Sequence, residues 1–163
     1  MEELAFYNTY HTHPVNKVIH FFCIPVLIFT TINFFSCFKI VGTKRSGFHN
    51  KQVINLSSLL YNFYTTFYFF KFKMSVSVTM FVYLSLIYFY AYYFRIMNNT
   101  YLNKNDKLSV WQEKNIKLFL GAWILQFLGH FIEGNRPALM DNVSQTFLYA
   151  PVFSLNHLLP FFN

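Results

Sequence analysis

The run Ile19-His20-Phe21-Phe22-Cys23-Ile24-Pro25-Val26-Leu27-Ile28-Phe29-Thr30-Thr31-Ile32-Asn33-Phe34-Phe35-Ser36-Cys37-Phe38 contains no Lys, Arg, Asp or Glu. As an α-helix rising about 1.5 Å per residue it is long enough to cross a hydrocarbon core of about 30 Å. Lys17 is the last charge before it and Lys39 the first after it. Pro14 suits the first turn of such a helix, with Thr12 or His13 in the capping position. Pro25 is expected to kink it and to free backbone groups near His20.

The rest of the chain repeats this alternation of apolar runs and short polar breaks. Residues 39–52 hold Lys39, Lys44, Arg45 and Lys51 with no acid, and two glycines mark them as a loop. A second span is expected from Val53 to Phe70, then a break at Lys71 and Lys73, then a third span from Ser75 to Ile96. Residues 97–117 are polar. Leu118 to Glu133 is a fourth, rather short, apolar segment. A fifth runs from Val143 to Phe162, interrupted by Pro151, His157 and Pro160, and reads as either spanning or re-entrant. The expected fold is all-α: an integral membrane helical bundle of four transmembrane helices plus that fifth segment, in a single domain over residues 1–163.

Composition points the same way. The chain is 55% hydrophobic and 12% charged, against about 25% charged in ordinary soluble domains. A soluble helical core of five such segments would lack polar surface to cover it. The net charge is +7, but the basic residues sit in short clusters between apolar runs. They read as membrane-flanking loops, not as a nucleic-acid surface. Cys23 and Cys37 are expected to be buried apolar thiols rather than a disulfide framework. Glu2 and Glu3 precede a His-rich stretch, so the start of the chain does not read as a signal peptide.

Polar groups at membrane depth are functional candidates. Here they are His11, His13, Asn16, His20, Gln126, His130, Glu133, Asn135, Arg136, Asp141, Asn142 and His157. Asn16 and His20 share a helix face, and so do Gln126, His130 and Glu133. Glu133 also lies three residues before Arg136, within reach of an ion pair. If four segments cross the membrane, the start of the first and the end of the fourth lie on one side. The His-rich start and the stretch Gly129–Leu139 then meet. Imidazoles with a carboxylate suit iron or zinc, and two histidines with one carboxylate is the usual set of non-haem Fe(II) oxygenases.

Two ordered motifs carry a resemblance. Tyr10-His11-Thr12-His13-Pro14-Val15-Asn16-Lys17-Val18-Ile19-His20, continuing to Pro25, is the first. Trp123-Ile124-Leu125-Gln126-Phe127-Leu128-Gly129-His130, then Glu133, Arg136-Pro137-Ala138-Leu139, Asp141-Asn142, Gln145 and Ala150-Pro151, is the second. Together they resemble the membrane 2-hydroxy fatty acid dioxygenase family, formerly a domain of unknown function. The match covers the first and last quarters of the chain, and the middle agrees in hydropathy alone. The spacing from His130 to Glu133 is one residue shorter than in many members, and His157 stands where many carry Glu.

The resemblance implies Fe(II)-dependent α-oxidation in the endoplasmic reticulum membrane, within sphingoid base and lipid catabolism. A 2-hydroxy fatty acid and O₂ give a fatty acid one carbon shorter. The implied metal ligands are His11, His20 and His130, completed or oriented by Glu133 or His157. Arg136 is expected to attract the substrate carboxylate, and Asn16 or Gln126 to orient the imidazoles. The alternative is a non-catalytic membrane scaffold or lipid-binding protein whose polar groups only pack helices. Six histidines are too few for the His clusters of a di-iron lipid hydroxylase. By the positive-inside rule the loops 39–52 and 95–117 face the cytosol, whereas Lys71, Lys73 and Arg136 favour the opposite orientation.

Overall fold

A computed structural model describes residues 10–42, 53–99 and 108–156. Five α-helices are found among them: α1 (Pro14–Phe35), α2 (Leu56–Lys71), α3 (Met74–Met97), α4 (Val110–Glu133) and α5 (Val143–Asn156). A short ribbon, β1 (Lys39–Gly42) with β2 (Val53–Asn55), separates α1 from α2, and a 3₁₀ turn (Ala138–Met140) separates α4 from α5. The all-α expectation holds apart from the ribbon, which is antiparallel with Lys39 opposite Asn55 and Gly42 opposite Val53.

Helix lengths revise the count of spans. α1, α3 and α4, of 22, 24 and 24 residues, are long and apolar enough to cross a membrane. α2 has 16 residues and reaches about 24 Å, short of the hydrocarbon thickness. α5 has 14. Three helices of spanning length are thus found among the described residues; the expected fourth span and fifth segment correspond to the shorter α2 and α5. Most of each faces outward: 39% of the apolar window of α1, and 28% in both α3 and α4, is buried inside the protein. Phe22, Phe89 and Phe131 are among the large apolar side chains left exposed. A surface of this kind matches lipid rather than water.

Two compact units are formed, residues 1–28 with 117–163, and residues 29–116. In the second, α2 and α3 make a tight helical hairpin across Phe72 and Lys73. The Ser77 hydroxyl donates to the Tyr68 carbonyl at 2.8 Å, and Tyr61 and Ser85 hydroxyls meet at 2.7 Å. Small polar residues of this type let membrane helices approach closely. Tyr68 and Met80 are fully buried between them. Phe29 packs on Tyr90 and Phe94, with ring centroids 5.4 and 5.2 Å away. The Asn115 amide donates to the Thr30 carbonyl at 3.0 Å.

The first unit contains both motifs. α1 starts at Pro14 as expected, and the His13 ring nitrogen Nδ1 accepts the Val15 N–H at 3.2 Å as a cap. The helix continues through Pro25. α4 ends at Gly134, whose φ of 74° closes the helix while its N–H donates to the His130 carbonyl at 3.0 Å. That left-handed conformation favours glycine. Asn142 caps α5 by accepting the Gln145 N–H at 2.9 Å. Tyr149, Val152 and Phe153 of α5 are buried.

Candidate metal centre

His11 lies three residues ahead of α1, His20 stands in its second turn, and His130 in the last turn of α4. All three are buried, at 1%, 3% and 6% exposure. One ring nitrogen from each lies within 4.8 Å of the others. The ring centroids are 4.3 Å apart for His11 and His20, 5.0 Å for His11 and His130, and 4.9 Å for His20 and His130. The planes cross at 76°, 63° and 83°. Rings set edge to face around one point present ligand nitrogens from three directions. Phe153 of α5 packs against His11, centroids 4.8 Å apart.

Local backbone chemistry sets the rings. His20 Nδ1 lies 3.1 Å from the Asn16 carbonyl. A carbonyl only accepts, so Nδ1 carries the proton, and in the neutral ring the lone pair is on Nε2. That is the usual device by which a metal-ligating imidazole is oriented. His130 Nδ1 is buried and has no hydrogen-bond partner among the described residues. A buried imidazole nitrogen without a partner is costly unless something outside the protein occupies it.

Glu133 joins the two motifs. Its Oε1 accepts the Thr12 hydroxyl at 2.8 Å, the His13 N–H at 2.9 Å and the Thr12 N–H. Its Oε2 accepts the Asn16 side-chain amide. The carboxylate therefore takes up the free N–H groups ahead of α1, where a negative charge is favoured. It also fixes the segment that carries His11. The expected Glu133 ligand is thus found outside the group of three histidines, engaged by Thr12, His13 and Asn16.

Gly129 makes this possible. A Cβ built there would stand 2.3 Å from Asn16 Oδ1 and 3.3 Å from Ile19 Cδ1. Only glycine lets Asn16 sit against α4 at that height. Thr12, Gly129 and Phe153 are not among the candidate site residues of the sequence, although Thr12 and Gly129 lie within the two motifs.

The remaining expected residues lie as follows. Asn16 is fully buried, and orients His20 through its backbone carbonyl and Glu133 through its amide. Gln126 is buried with Nε2 unpartnered, and makes no hydrogen bond to the three rings. Arg136 pairs with Asp141 at 2.8 Å, not with Glu133, and its side chain is 68% exposed. Asp141 also accepts a hydrogen bond from Tyr10, which pushes that phenol above its ordinary range. His157 lies outside the described residues. Cys23 is buried, as expected, but Cys37 is exposed.

Three convergent imidazoles, buried and with an unpartnered nitrogen, fit a divalent transition metal such as iron or zinc. A family model described as 2-hydroxy-palmitic acid dioxygenase Mpo1-like matches residues 1–161. The chain belongs to the Mpo1-like family. Among curated proteins, this Mpo1-like chain is similar to the 2-hydroxy-palmitic acid dioxygenase MPO1 of Saccharomyces cerevisiae. The two are 28% identical over 152 residues, covering 93% of this chain and 74% of the yeast protein. No solved structure matches it significantly. The resemblance carried by the two motifs is therefore supported over the whole chain, including the middle where the motifs are silent.

Proposed function

We propose that this Mpo1-like protein is a membrane-embedded, Fe(II)-dependent dioxygenase for 2-hydroxy fatty acids. It shortens them by one carbon with loss of the carboxyl carbon. The observation that carries this reading is the convergence of His11, His20 and His130 from two separate motifs onto one buried point. The family match and the yeast relative's name supply the substrate class and the reaction class. The endoplasmic reticulum and sphingoid-base breakdown come from the family resemblance alone.

In this reading His11, His20 and His130 hold the iron. A metal held there would supply O₂ activation. The protein's own groups do the rest. The Asn16 carbonyl keeps His20 turned so that Nε2 faces the centre. Glu133 clamps Thr12 and His13, and so holds His11 in place. Gln126, four residues before His130, offers a buried amide donor without a protein acceptor. It is suited to an oxygen of the substrate headgroup. Arg136 attracts the incoming carboxylate from the exposed side and exchanges it with Asp141. The alkyl chain lies against outward-facing apolar side chains such as Phe131, within the bilayer where the substrate already resides.

Turnover of 2-hydroxypalmitate by isolated membranes tests this. His20→Ala and His130→Ala are each expected to abolish product formation. Turnover retained in either would remove that histidine from the ligand set.

A further inference from the structure

The second unit holds a cleft that the dioxygenase reading leaves unused. It has a volume of about 400 Å³, within the range of small-molecule sites. It opens where α1 and α3 end, β1 begins and α4 starts, so its walls are helix ends and not apolar mid-helix surface.

Its lining is one-sided chemically. Lys39 and Arg95 bring two positive charges, and no carboxylate lines the cleft among the described residues. Neither cation forms an ion pair among the described residues. Arg95 is half-buried, with its guanidinium 5.6 Å from the Tyr92 ring centroid, which restrains it in place. Asn55 uses its side-chain oxygen to accept the Ser58 N–H at 3.0 Å and the Ser57 hydroxyl at 2.7 Å. A backbone N–H can only donate, so the oxygen is fixed on that side and the Asn55 NH₂ is left over as a donor. Asn99 adds another amide, and the buried Trp111 an indole N–H. Cations at helix ends are ordinary membrane flanks. A concave site with two of them, several neutral donors and no acid among its described residues is not. Arg in particular suits the paired oxygens of a phosphate.

We propose that this cleft binds a phosphate group, of the kind carried by the headgroup of an anionic membrane lipid. Basic pockets between the ends of membrane helices take such headgroups. The site is independent of the metal centre, and its test does not depend on turnover.

Cys37 lines the cleft and is exposed, whereas Cys23 is buried. Maleimide labelling of the full chain in detergent therefore reports on the cleft directly. Short-chain phosphatidic acid is expected to slow Cys37 labelling at concentrations where diacylglycerol of the same chain length does not. In the double variant Lys39→Gln/Arg95→Gln the half-protecting concentration should rise at least about tenfold, as expected for the loss of charged hydrogen bonds. Lys39→Arg/Arg95→Lys should keep the protection, and circular dichroism checks that both variants fold. Inorganic phosphate protecting as well as phosphatidic acid would identify a soluble phosphate as the ligand. Protection by the lipid alone would identify the headgroup. Equal labelling with phosphatidic acid and diacylglycerol, or protection undiminished in a folded Gln/Gln variant, overturns the proposal.

Discussion

Glu133 has both carboxylate oxygens engaged by the segment that precedes α1. A group so occupied acts on the metal centre through position. Glu133→Gln keeps the shape but places an NH₂ where the site supplies only donors. It is expected to weaken iron binding by about 10- to 100-fold, the usual effect of losing a group that supports a metal ligand. The visible spectrum of the cobalt-substituted protein should be unchanged, because the ligands are the same. A changed spectrum would make Glu133 a ligand. Thr12→Val removes only a side-chain bond to the same oxygen, and its effect on iron affinity should stay under about tenfold. The three histidines were legible in the sequence because they stand in two ordered motifs that border or enter apolar runs. The use of Glu133 was not. A spacing of three puts it on the face of His130 but says nothing of the N–H groups 120 residues earlier that it meets.

At the scale of elements, the approach of α1 to the end of α4 depends on Gly129. Gly129→Ala drives a methyl into Asn16 and is expected to destabilise the protein by about 1–3 kcal/mol, with loss of bound iron. Gly121 in the same helix provides the control, since a Cβ there meets nothing within 4 Å. Gly121→Ala should be neutral or stabilising by up to about 1 kcal/mol through helix propensity. Thermal unfolding in detergent separates the two, and equal effects would mean that the close approach is unimportant. Element ends were harder to read than elements. α4 begins at Val110, two turns before the apolar run at Leu118, because its first turns bear polar residues such as Glu113 and Asn115. The strands β1 and β2 have only four and three residues, one inside the basic, glycine-containing segment and one at the start of the apolar run that follows it, too short for an alternating pattern to register. Length also cut into the second apolar run: it starts at Val53, but its first three residues are strand, which leaves a helix of 16 residues.

For the whole molecule, the outward-facing apolar surface of α1, α3 and α4 is compatible with a membrane protein. The protein is expected to stay in the membrane pellet after alkaline carbonate washing; release into the supernatant would contradict embedding. Membrane class was legible from the scarcity of charge. The meeting of the two motifs was expected from four crossings, whereas three helices of spanning length are found among the described residues; the contact is seen in the structure and not given by that count. The division into two compact units left no trace in composition, because the same kinds of apolar residue build both. The account rests on one claim, that His11, His20 and His130 together hold iron. Metal analysis of the full chain, purified anaerobically in detergent, tests it most directly. About one iron per chain is expected in the wild type, with the iron lost in His20→Ala while helix content is preserved. A protein that carries no iron, or carries zinc in its place, or keeps its iron in folded His20→Ala, would contradict the account.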